Sequence, residues 1–394
     1  MKKLIFFLVL AINLPLMAQA RDFETNAKSA FLMDFDSAGA IVAKDADVLM
    51  PPSSMIKLMT LALAFDALKD GRLKMTDRMQ VSDNADYKNP VWNTASKICL
   101  SAGHDISVQD AVMGLIVMSG GDAGVVVAER LAGTEADFAT MMLKKARSIG
   151  MAQSSFGNST GLPTPDNLMT TRELGILADY IIRTYPEYYP MFSTRRFEFG
   201  EYKSGWCQQW GDLHSVSYNK LLFIMPGADG LKTGHTTTGG YGMVASAKKG
   251  NRRLVGVING LRAKDHNALA SEMKRMLEYG FANTATRMFF KEGEVVAKIP
   301  VWYGRQEKVE AAPARNVAMT LKNGQGISKV RILARFEDPV PAPVRAGDKV
   351  GEIVIEDDGE LVATIPLVAK SDVNKMRYFG RMFKNVSIIF GGKK

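Results

Sequence analysis

The sequence contains few of the residues that crosslink a small fold through disulfides or that bind a metal. It has two cysteines, Cys99 and Cys207, and four histidines in 394 residues. Two cysteines exclude a disulfide scaffold and leave open either one bridge in an oxidising compartment or two buried thiols. The histidines show no spacing typical of a metal site. We therefore expect a fold held by a hydrophobic core, which a chain that is 46% hydrophobic can supply.

Long apolar runs are missing after the first twenty residues, so no later segment reaches the length of a membrane span. Those twenty residues carry Lys2, Lys3, an apolar run and a small-x-small site at 18–20, the pattern of a secretory signal peptide. We expect residues 1–20 to be removed. The formal charge of +9 fits an anionic membrane or cell-wall polymer. Zinc spacings, phosphate loops and RNA-binding signatures are absent, which disfavours nucleic acid.

Hydrophobic periodicity predicts two domains and a tail. Residues 21–281 read as an α+β domain, an antiparallel sheet with helices packed on it. Its predicted helices cover 58–69, 107–117, 123–131, 134–148, 171–183 and 268–281, with a hairpin near 29–42 and strands at 241–248 and 252–259. Residues 282–370 alternate apolar and polar side chains without a long helix, which predicts a small all-β domain, a sandwich.

The tail, 371–394, has the pattern of an amphipathic helix. From Lys375 onward it contains six basic residues and no acidic one, and its apolar side would carry three phenylalanines. A purely cationic polar face favours a helix lying in an anionic membrane interface, where each basic group contributes about 1 kcal/mol. The alternative is a terminal helix docked on its own protein.

Ser54 and Lys57 are the first candidates for chemistry. Pro51-Pro52 forces an extended entry, and a helix then begins near Ser54. Residues three apart share a helix face, so the Lys57 amine can reach the Ser54 hydroxyl. A serine needs a base to act as a nucleophile, and a buried lysine with a lowered pKa can be that base. Alone, the spacing is weak, because Ser54 can simply cap the helix while Lys57 reaches water.

Two further motifs strengthen the prediction. Ser119 lies at a turn in "MSGGDAG", and Lys232-Thr233-Gly234 lies on a strand before a hairpin. Gly234 would let a substrate backbone approach the strand. Ser-x-x-Lys, Ser-Gly-x and Lys-Thr-Gly in this order are the signature of penicillin-recognising serine enzymes. The Gly- and Pro-containing stretch 158–166 is either a loop bordering the site or a plain connection.

On these motifs, together with "GNSTGLPTPDNLMTTREL" and "GADGLKTGHTTTGGYGMVASAKKG", the chain resembles the low-molecular-mass penicillin-binding proteins, the D-alanyl-D-alanine carboxypeptidases. The resemblance covers nearly the whole mature chain. It implies a penicillin-recognising serine transpeptidase/β-lactamase-like fold. Ser54 would be the acylated nucleophile, Lys57 the general base, and Ser119 a proton relay to the leaving group.

The resemblance also implies the substrate-binding groups. Lys232 would bind the terminal carboxylate and hold down the pKa of Lys57, with Thr233 assisting. The backbone N–H groups of Ser54 and His235 would form the oxyanion hole. The substrate would be a peptidoglycan stem peptide, β-lactams would trap Ser54, and neither metal nor organic cofactor would be needed. The expected location is the periplasm, with the tail on the inner membrane.

One position departs from the family pattern. The second motif normally reads Ser-x-Asn, and its third place here is Gly121. The missing amide usually braces the lysine, so a water or a neighbouring side chain would have to replace it. Gly121 also motivates an alternative, a penicillin-binding scaffold with impaired catalysis. A serine β-lactamase is disfavoured because no Glu-x-x-Leu-Asn stretch lies between Ser119 and Lys232. The sequence motifs fit an endopeptidase that cleaves peptide crosslinks as well as they fit a carboxypeptidase.

Overall fold

A computed structural model describes residues 2–7, 22–198, 216–237 and 239–377. The chain divides into two compact units. One is Arg21–Ala282; the other combines Asn283–Lys394 with Met1–Ala20 and includes strand β1, Lys2–Phe7. The sequence-based boundary between 281 and 282 lies one residue from this division.

The larger unit is built on a five-stranded antiparallel sheet with the order β3-β2-β8-β7-β6. A separate two-stranded ribbon, β4 with β5, lies outside the predictions from sequence. The strands are β2 Ser29–Asp34, β3 Ala40–Lys44, β4 Arg78–Gln80, β5 Asp105–Ser107, β6 Ala228–Thr236, β7 Gly240–Lys249 and β8 Arg252–Leu261. Among the described strands, β6 lies at the edge of this sheet, the position to which an extended ligand can add as a further strand.

Helices pack around this sheet, and their ends follow the sequence closely. Ser107, Thr134 and Thr170 each accept a hydrogen bond from a backbone N–H in the first turn of the helix that they precede. Gly133 and Gly150 follow helix ends with positive φ. The helices are α1 Lys57–Lys69, α2 Val108–Val117, α3 Gly121–Ala132, α4 Glu135–Ser148, α5 Thr171–Thr184, α6 Leu221–Ile224 and α7 His266–Asn283.

Helix α1 is the central helix of the unit. Nearly all of its residues are buried, Lys57 included, because other helices and the sheet surround it. A helix that is apolar on every side belongs in a core rather than at a surface. The predicted active-site lysine therefore begins the most deeply buried helix of the unit.

The second unit is all-β over its described residues, as predicted, although its strands form one large sheet and a small ribbon. The large sheet has the order β1-β13-β15-β16-β11-β10-β14, and β9 pairs separately with β12. The strands are β9 Thr284–Phe290, β10 Ala297–Trp302, β11 Lys308–Pro313, β12 Val317–Lys322, β13 Val330–Glu337, β14 Val340–Pro341, β15 Lys349–Asp357 and β16 Glu360–Ala369. Alternating apolar side chains from these strands build its separate core.

Two details differ from the expectations at the chain ends. Strand β1, within the predicted signal peptide, pairs antiparallel with β13, since its backbone groups find partners along the edge of that sheet. Its removal stays a prediction. At the other end, residues 371–377 continue the β unit instead of beginning a helix: Val373 bridges to Val344 and Lys375 to Gly304, because Val373 is buried in the β core.

The remaining predicted tail helix, residues 378–394, lies outside the described residues. Within the described parts of the chain, no helix combines the length and the apolar character needed to cross a bilayer.

Candidate active site

Ser54 and Lys57 lie where the chain enters α1. Residues Ser53–Ile56 form a single tight 3-10 turn, and the α-helix begins at Lys57. The Lys57 Nζ atom is 2.8 Å from Ser54 Oγ. Lys57 is 2% exposed, whereas Ser54 retains partial access to solvent. The predicted nucleophile and base are therefore in direct contact, with the hydroxyl on the accessible side.

The loop 158–166 contacts the Ser54–Lys57 pair on the side of the Lys57 amine. The Lys57 amine also donates a hydrogen bond to the Thr160 carbonyl. Asn158 Oδ1 accepts hydrogen bonds from Thr160 N and Gly161 N, at 3.1 and 2.8 Å, which fixes that carbonyl. A Cβ on Gly161 would lie 2.1 Å from the Ser53 carbonyl oxygen, so only glycine permits this approach. The stretch 158–166 thus borders the site, and its backbone supplies a contact that side-chain motifs do not reveal.

Burial sets the protonation of the base. It lowers the pKa of Lys57 from 10.5 to about 7, while the negative charges of Asp122 and Glu135 oppose the shift. Burial and, second, the charge of Lys57 also lower the pKa of Lys232 well below its usual range. The sequence-based expectation named burial and a nearby second cation, Lys232, as joint causes of the lowered pKa of Lys57. The structure assigns the shift to burial, and the charges that act on Lys57 are those of Asp122 and Glu135.

Ser119 and Lys232 form a second serine–lysine pair. Lys232 Nζ donates to Ser119 Oγ at 2.8 Å and to the Thr233 carbonyl at 3.0 Å. All three residues are buried. Ser119 has a positive φ of 58° in the turn before α3, a conformation that non-glycine residues adopt only when the surroundings impose it.

Strand β6 brings this second pair to the first. A Cβ on Gly234 would lie 3.0 to 3.2 Å from atoms of Pro52, Ser53 and Met55, so glycine at 234 lets the strand lie against the entry to α1. His235 is exposed on the same strand and lies opposite Tyr241. The structure therefore brings together all six residues singled out in the sequence; the oxyanion role of the Ser54 and His235 backbone groups stays a prediction.

The carboxylate of Asp122 does not take the place of the missing amide. It is fully buried and accepts hydrogen bonds from Ile98 N, Leu100 N and Ala123 N at 2.9 to 3.1 Å. Burial raises its pKa against the effect of these hydrogen bonds. Asp122 thus holds the loop 96–100 against the start of α3. Cys99, within that loop, is disulfide-bonded; Cys207, the other cysteine of the sequence, lies outside the described residues.

Trp92 fills the space beside Gly121. A Cβ at position 121 would lie 2.5 Å from Trp92 Cζ3 and 3.2 Å from Cη2. The indole is buried, and its Nε1 donates to the Asn84 carbonyl at 3.0 Å, which holds the ring in place. An apolar ring therefore occupies the space that a side chain at position 121 would enter. Sequence spacing offers no signal for it, because Trp92 and Gly121 meet only through the fold.

Among the described residues, no group of three or more His, Cys, Asp or Glu side chains is arranged to hold a metal ion. His214 lies outside the described residues.

We predict that Gly121→Asn alone destabilises the protein instead of improving the site. The added side chain overlaps Trp92, and overpacking of a core costs about 1–3 kcal/mol. Adding Trp92→Ala opens the space, so the double variant should be more stable than the sum of the two single changes predicts. Urea denaturation of the parent, both single variants and the double variant measures this coupling.

Gly124→Ala is the matched control for that experiment. It lies one turn further along α3, and its Cβ would meet its neighbours at ordinary distances of 3.4 to 3.5 Å. It should leave stability nearly unchanged. A Gly121→Asn variant as stable as the parent would contradict the assignment of Trp92 to this space.

Both units of the chain match family profiles of known proteins. The family profile described as D-alanyl-D-alanine carboxypeptidase matches residues 16–263, and that described as penicillin-binding protein 5, C-terminal domain, matches residues 285–375. The chain is 31% identical over 359 residues to the D-alanyl-D-alanine carboxypeptidase DacF of Bacillus subtilis, covering 89% of this chain and 86% of the relative.

Solved structures agree with this similarity. Penicillin-binding protein 5 of Haemophilus influenzae has a TM-score of 0.74 and 29% identity, covering 91% of this chain and all of that structure. Penicillin-binding protein D2 of Listeria monocytogenes, in its cefotaxime-bound form, has a TM-score of 0.57 and 25% identity over 66% of this chain and all of that one. The chain therefore belongs to the D-alanyl-D-alanine carboxypeptidase family and is a serine-type carboxypeptidase.

Proposed function

We propose that the protein removes the terminal D-alanine from peptidoglycan stem pentapeptides through an acyl-enzyme on Ser54. The contact between Lys57 Nζ and Ser54 Oγ, at 2.8 Å, carries this proposal. An amine with a pKa near 7 is neutral in a useful fraction of molecules at neutral pH. Its lone pair can then take the hydroxyl proton as Ser54 Oγ attacks the peptide carbonyl.

Acylation and deacylation each need one proton to be taken up and one to be returned, and groups of the site can do both. In acylation, Ser54 Oγ bonds to the carbonyl carbon, the peptide C–N bond breaks, and the leaving amine of D-alanine receives the proton held by Lys57, directly or through Ser119 Oγ. In deacylation, water attacks the ester carbon, its proton passes to the same base, and Ser54 recovers its hydroxyl proton as the shortened peptide leaves. The two serine–lysine contacts supply both proton positions.

Lys232 supports recognition of the carboxyl end of the peptide. Its amine is buried and has a lowered pKa, so an arriving carboxylate would favour its charged form and offset its burial. Because Lys232 Nζ also contacts Ser119 Oγ, carboxylate binding and the proton relay share one side chain. This arrangement favours removal of a residue with a free carboxyl end over cleavage within a chain.

β-Lactams would acylate the same serine and leave it as a slow ester. The similar Listeria protein was solved in a cefotaxime-bound form, which supports this class of inhibitor. The apolar ring beside Gly121 supports one alternative, a penicillin-binding scaffold with impaired hydrolysis. Rapid hydrolysis of penicillin would instead favour a β-lactamase.

We also propose that the enzyme acts in the periplasm, attached to the inner membrane by its tail. The signal-peptide pattern supports export. The last described residues, 371–377, run along the β unit through the bridge between Lys375 and Gly304, and the cationic, phenylalanine-rich sequence 378–394 follows at once. A single such segment would bind reversibly to an anionic surface.

We predict that Ser54→Ala abolishes D-alanine release from a pentapeptide ending in D-Ala-D-Ala, by about a thousandfold or more, because the nucleophile is lost. Mass spectrometry should find a penicillin adduct on Ser54 of the parent and none on the variant. Ser53→Ala, at the adjacent hydroxyl, is the control and should keep the adduct. Labelling of the parent without D-alanine release would support the scaffold alternative, and an adduct elsewhere would contradict the mechanism.

We predict that kcat/KM for this peptide falls about tenfold per pH unit below pH 7. The amine of Lys57 is neutral and active above its pKa of about 7, and it is protonated and inactive below it. Steady-state rates between pH 5 and 9 measure this limb. Lys57→Arg, which cannot lose its proton, should be inactive throughout. A flat profile down to pH 5 would rule out a lysine base of this pKa.

We predict that deleting residues 378–394 releases the protein from vesicles that contain anionic phospholipid. The deletion removes four basic residues and the apolar face, while activity on a soluble peptide should stay unchanged. Co-sedimentation with anionic and with zwitterionic vesicles, at low and high salt, measures the effect. Binding that persists in the truncated protein would place the membrane contact elsewhere.

A further inference from the structure

Four aromatic rings form a continuous row beside the Lys232–Ser119 pair. The ring centroids of His235 and Tyr241 are 4.1 Å apart, those of Tyr241 and His266 are 5.2 Å apart, and those of His266 and Tyr218 are 5.3 Å apart. His235 belongs to β6, the strand that carries Lys232. The row therefore begins at the strand that supplies the carboxylate-binding lysine.

The other end of the row reaches the loops around Ser119. Tyr218 N donates to the Val117 carbonyl at 3.4 Å, two residues before Ser119. The Tyr218 side chain is hydrogen-bonded to Ser96, whose carbonyl accepts Gly121 N at 2.8 Å. Since Lys232 and Ser119 are in contact with each other, a row anchored on both of their elements runs alongside that contact.

His266 is the member of the row with an unused polar atom. Its Nδ1 atom is buried and has no hydrogen-bond partner among the residues that the structure describes. Burial, then the charges of Lys232, His235 and Lys220, lower the pKa of His266 to about 4, and only Asp265 acts in the opposite direction. The imidazole is therefore neutral at neutral pH, and in the tautomer protonated at Nδ1 it presents a donor without a partner.

A second polar group without partners lies in the same segment. Asn219 follows Tyr218 and is 4% exposed, and within the described parts of the chain neither atom of its side-chain amide has a hydrogen-bond partner. Buried polar groups in native proteins nearly always have partners, so two unsatisfied ones in neighbouring segments need an explanation, and a ligand that binds there is one. The free backbone N–H groups at the start of α7 are not the basis of this site. Asp265 already caps the helix there by accepting a hydrogen bond from Ala268 N at 2.8 Å.

The charges around His266 select the kind of ligand. Lys232, Lys220 and His235 all act on it as positive or potentially positive groups. An unpaired donor among cationic side chains fits a carboxylate better than an amine or a neutral sugar hydroxyl. The tyrosine rings on either side of His266 provide apolar surface for a small side chain such as a methyl group.

We propose that His266 is a specificity-determining residue that donates a hydrogen bond from Nδ1 to the terminal carboxylate held by Lys232, with Tyr218 and Tyr241 as the walls of this subsite. The proposal rests on the proposed function, since it names the part of the same substrate that the row would recognise. Binding of the carboxylate would satisfy the unpaired Nδ1 and bring a counter-charge to the buried Lys232.

The test measures binding in a Ser54→Ala background, which separates recognition from turnover. Isothermal titration compares two ligands, a peptide ending in D-Ala-D-Ala with a free carboxylate and the same peptide with a terminal amide. His266→Phe keeps a stacked ring and removes both nitrogens. It should weaken binding of the free-carboxylate peptide about tenfold or more, as loss of a hydrogen bond to a charged group predicts, and change binding of the amide less than twofold.

His266→Gln, which restores a donor, should recover part of the lost affinity. If His266→Phe does not fold, His266→Leu, which also removes both nitrogens, takes its place and should show the same loss for the free-carboxylate peptide. Equal weakening of both ligands, or of neither, would overturn the proposal, as would a protein that does not distinguish the two peptides at all. Failure of the parent enzyme to release D-alanine would instead count against the proposed function, because the binding comparison does not depend on turnover.

Discussion

The exclusion of water from two lysine side chains is the constraint on which the rest of the catalytic unit depends. Transferring an ammonium group out of water is unfavourable by several kcal/mol, so a buried amine becomes neutral more easily than an exposed one. Lys57 begins the most buried helix, and Lys232 lies on β6 against the same entry. Each amine is within 2.8 Å of a serine hydroxyl. Burial thus turns two ordinary cations into groups able to hold or release a proton.

Backbone strain accompanies the two serine–lysine pairs. Ser53 and Ser119 both have positive φ values, and both stand next to or within the active groups. The surrounding contacts impose these conformations: Gly161 lies against the Ser53 carbonyl, and Asp122 holds the loop that packs on the turn after Ser119. Strained residues at a site persist only where such neighbours over-determine them. The close contact of Gly161 with the Ser53 carbonyl therefore helps to position the active-site hydroxyl and also contributes to packing.

The sequence predicts well what depends on local pattern. The six helices inferred from periodicity are present with ends within three residues, because caps such as Thr134 and Thr170 and the apolar spacing are local signals. Ser54, Lys57, Ser119 and Lys232 are found together because short motifs mark them.

Contacts made through space by groups outside the motifs are what the sequence does not show. The Thr160 carbonyl on Lys57, the Trp92 ring beside Gly121 and the unpaired Nδ1 of His266 arise only when distant segments meet. The arrangement of the β unit as one large sheet and a ribbon has the same origin, since strand order depends on pairing across the whole domain.

The hydrogen bonds of Lys57 show why the site can tolerate glycine instead of the family's asparagine at position 121. Within the described residues, the Lys57 amine has two hydrogen-bond partners, Ser54 Oγ and the Thr160 carbonyl. A neutral amine needs no more: one N–H can donate to the carbonyl, and the lone pair can accept the serine proton. A side-chain amide oxygen at 121 would favour the charged ammonium. Its absence therefore acts in the same direction as burial, toward an uncharged base.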